Sequence, residues 1–189
     1  MDTQQAFTEF KAYLAGHPDA LDLQLIDDAS DFPFDWGPDV MKHLRLFAKT
    51  GTGSYIGFWS PDGAVPKNPE NLPLVWIDHE GVPMSVFARN TDDFLAFMHF
   101  DTGFIYEILI DYHFYKTDPA GYDDPAKKFT KKYLTKYLKE KDSSPDFKAL
   151  GHWLSEKLGV SIPADPADMI GKAIDAHKDF NEWLHHDNL

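Results

Sequence analysis

The stretch LPLVWIDHEGVPMSVFA, residues 72–88, decides the fold class. Its first part, LPLVWI (72–77), is a short continuous apolar run rich in branched and aromatic side chains. Its second part, VPMSVFA (82–88), alternates, with Val82, Met84, Val86 and Ala88 on one side. Both patterns read as strands. Between them stand Asp78, His79, Glu80 and Gly81, with the glycine where a hairpin turn needs a positive φ. Upstream, SYIGFW (54–59) has the same composition and supplies a third strand. The spacing therefore predicts an antiparallel sheet over residues 54–88.

Outward from the sheet the period changes to that of helices. Residues 5–14 (QAFTEFKAYL) place Phe7, Phe10 and Leu14 at i, i+3 and i+7, and Gly16-His17-Pro18 ends the run. Residues 38–48 predict a second helix, with Pro38 near its first turn and Val40, Met41, Leu44 and Phe47 on one face. The following Thr50-Gly51-Thr52-Gly53 is expected to be a flexible connection. It lacks the Lys-Ser/Thr ending of a phosphate loop. Asn90 or Thr91 caps a short helix in which Phe94, Leu95, Phe97 and Met98 face inward, with Asp92 and Asp93 favouring its positive end. Residues 104–115 (FIYEILIDYHFY) fit a helix through Phe104, Ile105, Ile108, Leu109 and Tyr112, and fit a strand through their apolar even positions. The spacing leaves both open.

Beyond Gly121 and Pro125 the chain reads as helices. Residues 127–141 set Phe129, Tyr133 and Tyr137 at i, i+4 and i+8 among seven lysines and one glutamate. The next helix holds Phe147, Leu150, Trp153, Leu154 and Leu158, residues Gly159 to Pro166 form a linker, and a last helix carries Met169, Ile170, Ala173, Ile174, His177, Trp183 and Leu184. The expected architecture is a single α+β domain: a core over residues 1–115, with the antiparallel sheet and packed helices, and a helical C-terminal extension over 116–189. Deletion after Pro125 is expected to expose Tyr106 or Phe114 and lower solubility.

Composition narrows the function classes. A chain of 189 residues and 21.6 kDa buries about 70% of its unfolded surface on folding and needs no metal or disulfide to hold it. With no cysteine, disulfide frameworks, Cys-based zinc sites and thiol nucleophiles are excluded. The start MDTQQAFTEFKAYL lacks the basic region of a signal peptide, and no apolar run of about 18 residues occurs. A soluble, cytoplasmic protein is expected.

Charge is uneven. The net charge is −13, and residues 1–115 hold 18 acids and 6 basic residues, against 13 acids and 12 lysines over 116–189. Asp19, Asp22, Asp27, Asp28, Asp31, Asp35 and Asp39 follow one another with no Lys or Arg among them. Such a field repels nucleic acid and anionic membranes and speeds encounter with a basic partner; a solvated surface kept for solubility is the plainer alternative. Phe32, Phe34 and Trp36 alternate with these acids in DFPFDWGPD (31–39). Rings beside acids on an irregular segment suit an interface anchor with a charged rim, and equally a plug for the core beneath a loop. The lysines of 127–141 read as a solvated face over a buried aromatic stripe, able to pair with the acidic segment or with a second copy.

Catalytic patterns are not evident. There is no HExxH, no i, i+4 histidine pair, no Glu-x-x-His, no GxSxG and no GxGxxG. Asp111 and His113 would share a face only in a strand, His99 and Asp101 likewise, His177 reads as a core histidine, and the adjacent His185 and His186 cannot share a helix face. Asp78, His79 and Glu80 form a turn in which three successive side chains diverge. Neither catalytic residues, nor a metal, nor a cofactor is expected.

The sheet region resembles the SUKH superfamily, which includes the yeast cell-wall glucan-synthesis regulator, the bacterial Syd protein and many bacterial immunity proteins. The residues that carry the likeness are the glycine-led strand Gly53–Trp59, the Pro73-Leu74-Val75 strand, the acidic hairpin closed by Gly81, and the step Ala88-Arg89-Asn90 to Asp93-Phe94-Leu95. Trp59, Pro73, Gly81, Asn90, Phe94 and Leu95 are its structural positions here. The family's opening helix, with its Leu-Pro and Asn-Gly-Gly, is matched only loosely between Pro38 and Gly53. The resemblance implies a non-catalytic protein-binding domain, most often an immunity protein that neutralises a nuclease- or deaminase-like toxin by direct contact. A regulatory or scaffold protein is the alternative it offers, and a small enzyme whose histidines and carboxylates meet only in three dimensions is a third reading. Asp27, Asp28, Asp31, Phe34, Asp35, Trp36 and Asp39 are the expected partner-binding residues, assigned from charge and ring content.

Overall fold

The computed structural model describes residues 1–27, 32–140 and 144–186. Five strands, β1 (Leu23–Leu25), β2 (Leu44–Thr50), β3 (Tyr55–Trp59), β4 (Leu74–Ile77) and β5 (Met84–Ala88), form one antiparallel sheet in the order in which they occur. Among the described residues the helices are α1 (Thr3–Gly16), α2 (Pro38–Met41), α3 (Thr91–Phe97), α4 (Thr102–Thr117), α5 (Pro125–Lys128), α6 (Lys131–Glu140), α7 (Pro145–Leu158), α8 (Pro166–Ala176) and α9 (Asp179–His186). The α+β class and the antiparallel hairpins agree with the sequence. Gly81 turns the β4–β5 hairpin with φ 91°.

The sheet is wider than residues 54–88. Leu44–Thr50, expected as the second half of a helix, is strand β2, and only Pro38–Met41 is helical. A β-bulge explains the misleading spacing. The register jumps between Leu46 and Ala48, leaving Phe47 as the extra residue, so Leu44 and Leu46 face one side while Phe47 and Ala48 face the other. That break in alternation imitates a helical period. The Thr50–Gly53 segment is a tight turn rather than a loose connection: the Gly53 and Thr50 amides donate to Thr50 and Ser54 carbonyls, with Gly53 at φ 97°.

Both faces of the sheet are covered, which is why LPLVWI shows no alternation. On one face Ile56, Phe58, Leu74, Trp76 and Phe87 pack with Phe7 and Phe10 of α1, Phe94 of α3, and Ile105 and Ile108 of α4. On the other, Tyr55, Trp59, Val75, Ile77 and Val86 pack with Trp36, Val40, Ala173, Phe180 and Leu184. Residues 104–115 are therefore helix; Asp101 caps α4 by accepting from the Phe104 amide at 2.7 Å. Asn90 caps α3, accepting from the Asp93 amide at 3.0 Å, while Arg89 forks onto the Asp93 carboxylate at 2.6 and 3.0 Å.

The C-terminal helices complete the core. The stripe Phe129, Tyr133 and Tyr137 closes on Phe104, and Tyr112 donates to the Ala167 carbonyl at 2.9 Å, tying α4 to α8. The expected single last helix breaks at His177, whose backbone leaves helical geometry, and α9 resumes two residues on. Total exposed surface is 9872 Å², close to the roughly 9,000 Å² of a compact chain of this mass. The extension lies on the body of the protein.

Two histidines make this packing sensitive to acid. His99 is 5% exposed, and its Nε2 lies 3.0 Å from the Val160 carbonyl, joining the end of α3 to the connection after α7. His177 meets the Trp59 ring edge-on at 6.2 Å. Burial pulls both imidazoles below the ordinary histidine range. Because the unfolded chain then binds protons first, stability falls as pH drops below about 6.5 and levels off once the folded pKa values are passed, by at most about 1.4 kcal/mol per pH unit per site. The urea midpoint is expected to drop between pH 7.5 and 5.5, and to drop less in His99→Gln. Equal midpoints for the unaltered chain at both values would contradict this.

Candidate functional site

The described acids of the segment run from Asp19, before β1, to Asp39 in α2. Asp19, Asp22, Asp27 and Asp35 are exposed, and among the described residues none of them has an ion pair. Asp39 is exposed and takes the Lys42 ammonium at 2.9 Å, which holds its carboxyl below the usual range. Asp28 and Asp31 lie outside the described residues.

The rings between these acids turn inward. Trp36 is only 7% exposed. Phe34 is half-buried and stacks on it at 5.3 Å, while Phe32 sits edge-on to both Trp36 and Tyr55 at 5.1 Å. The expectation that Trp36 anchors a partner is thus corrected: the indole fills the second sheet face with Val40 and Tyr55. An irregular segment crossing an apolar sheet face must cover it, and the largest ring does so. Asp35, between Phe34 and Trp36, stays in water.

The turns at one end of the sheet, together with the start of α4, enclose a cavity of about 250 Å³ lined by Asp22, Thr52, Asp78, His79, Glu80, Thr102, Gly103 and Tyr106. Its floor is built by hydrogen bonds. Asp78 is buried; one carboxylate oxygen accepts from the Ser54 hydroxyl at 2.7 Å and the other from the Glu80 amide at 2.9 Å. That aspartate locks the β4–β5 turn onto the β2–β3 turn. His79 stands between the Asp78 and Glu80 carboxylates at 3.8 and 3.9 Å, its ring against Gly53. Burial first, then the charges of Asp78 and Glu80, push the Tyr106 hydroxyl above the usual tyrosine range.

The sequence reading of Asp78–Glu80 as turn chemistry describes Asp78. It missed the cavity, because Asp22, Thr52 and the α4 pair Thr102 and Tyr106 come from three separate parts of the chain, none of them adjacent in sequence to Asp78–Glu80. The histidines do not gather: His99 is held on Val160, while His113 is exposed and borders a different cavity of about 390 Å³ with Lys116 and Asn181. Lys116 is itself paired with Asp175 at 2.7 Å. The side chains of His185 and His186 lie outside what is described. Among the described residues, no three His, Asp or Glu side chains are placed to hold a metal ion, and no helix is long and apolar enough to cross a membrane.

Trp59, Pro73, Gly81, Asn90, Phe94 and Leu95 all have structural roles. Trp59, Phe94 and Leu95 are at most 1% exposed, and the Pro73 carbonyl accepts from the Trp59 amide at 3.0 Å. Compared with known proteins, the chain matches no family model, no curated protein and no solved structure.

Proposed function

We propose that this protein is a non-catalytic binding domain for a basic protein partner, and specifically an immunity protein of SUKH type that occupies the cationic surface of a nuclease- or deaminase-like toxin. One observation carries the reading: Asp19, Asp22, Asp27 and Asp35 stand in water beside one another in sequence, with no cation paired to them among the described residues. A surface serving only solubility gains nothing from segregating one sign. A toxin that binds phosphates must present the opposite sign, and complementary fields raise association rates more than they slow dissociation.

The test begins with the unaltered chain as bait in its native cell at graded salt. Association with the captured partner is then timed for the Asp27→Asn, Asp28→Asn, Asp31→Asn, Asp35→Asn variant. At low salt the association rate is expected to fall on the order of tenfold, with the difference shrinking as salt rises past the screening range. Equal rates at low salt would reduce the acids to solvated surface.

A further inference from the structure

The cavity at the sheet turns, to which the acidic segment contributes Asp22, has a more specific chemistry than that segment. We infer that it receives one arginine side chain of the basic partner, with the guanidinium between Asp22, Glu80 and Thr102 and against the Tyr106 ring. The inference rests on the binding reading above.

Size selects the occupant first. About 250 Å³ is less than the roughly 300–1,000 Å³ of small-molecule sites, and it suits a side chain better than a metabolite. The shape of the charge selects it next. The three carboxylates and one histidine of the lining do not converge as metal ligands, since no three such groups among the described residues are placed to hold an ion. A cation that is planar and extended, with donors pointing several ways, matches such a spread.

The polar groups are also unevenly committed. Both Asp78 oxygens are already occupied by Ser54 and Glu80, so Asp78 contributes field and frame. Asp22 and Glu80 are exposed at the rim with no hydrogen bond to their carboxylates. The Asp22 carboxylate lies close over the backbone of Gly51, where a side chain in place of the glycine would collide with it. Thr102 is the separate clue. It is only 6% exposed, it lines the cavity, and its hydroxyl has no hydrogen-bond partner in the fold. The hydroxyl is not sealed inside the fold and opens onto the cavity, where an entering guanidinium can donate to it. The positive end of α4 does not repel a cation here, since the Asp101 carboxylate already caps it.

The probe is Nα-acetylarginine N-methylamide, titrated into the isotope-labelled full chain and followed through backbone amide shifts. Saturable shifts confined to the amides around Gly81, Thr102, Gly103 and Tyr106 are expected, weaker with the acetyllysine analogue and absent with the uncharged acetylcitrulline analogue. Asp22→Asn with Glu80→Gln, both exposed positions, should weaken the arginine response about tenfold, and Thr102→Val several-fold. An undisturbed amide spectrum away from the cavity shows that these variants fold. Equal shifts with acetylcitrulline, or shifts spread over Asp27 to Asp39 without saturation at the cavity, would overturn the arginine receptor. The partner reading would survive that result, because salt-dependent association tests it separately. Saturation of the cavity by acetylarginine in a chain that captures no basic protein would instead support the receptor and remove the partner.

Discussion

A chain cut after Pro125 is expected to give no cooperative unfolding transition and to bind a hydrophobic dye, rather than behave as a trimmed domain. The deletion removes α5 after its first residue and all of α6 to α9, and with them Ala173, Phe180 and Leu184 from the second face of the sheet. Trp59, Val75 and Val86, each at most 1% exposed, would then face water. Phe104 would lose Tyr133 and Tyr137, and the Tyr112 hydroxyl would lose the Ala167 carbonyl. At about 1.5–3 kcal/mol for each large apolar side chain returned to water, the loss exceeds the roughly 5–15 kcal/mol that holds a domain of this kind together. Sequence spacing named Tyr106 and Phe114 as the newly exposed rings. Phe114 is already 40% exposed, stacked on Tyr122 at the surface, so the damage falls elsewhere. Circular dichroism against urea is the measurement. A sharp transition for the 1–125 fragment would mean that the extension is separable and that the second sheet face is covered some other way.

What could be read in advance depended on how local each signal was. The β4–β5 hairpin is specified within seventeen residues by run, turn and run, and its glycine lies at the positive φ the turn needs. The α3 cap is likewise local, with Asn90 answering the amide three residues on. The failures have a common cause in distant contacts. Strand β2 was hidden because a bulge at Phe47 breaks its alternation, and a bulge is defined against the partner strand. Strand β1 is three residues long, too short to show a period. Residues 104–115 carry apolar side chains at both spacings, and the choice was made by the sheet face the helix covers. Trp36 was ambiguous for the same reason: nothing in DFPFDWGPD states that the sheet has a second apolar face to be filled. The binding cavity is the extreme case, four chain segments meeting at two turns. Its one local trace was Asp78-His79-Glu80, whose buried aspartate frames the site.

Replacing Phe94 by Ala is expected to be the most damaging single change in the sheet-side core, lowering stability by about 3–5 kcal/mol. The ring is fully buried and lies within aromatic contact of Phe7, Phe10, Phe47 and Phe87, with centroids at 6.1, 5.7, 5.5 and 6.3 Å. It therefore joins α1, β2, β5 and α3 at one point. All four contacts are edge-to-face, an arrangement worth roughly 0.5–1.5 kcal/mol per pair beyond burial. Removing the ring leaves a void between elements that are fixed by the sheet, so the site collapses poorly and the cavity cost stays high. Phe94→Leu keeps most of the volume but loses the edge contacts, and a cost of about 1–2 kcal/mol follows. Phe114→Ala gives the contrast: this ring touches Tyr122 and His113 at the surface, and a change within about 0.5 kcal/mol is expected. Urea midpoints for the three variants should fall in the order Phe114→Ala, Phe94→Leu, Phe94→Ala. Equal midpoints for the two alanine variants would remove Phe94 from the centre of the core and, with it, the packing of α1 and α3 on this face of the sheet.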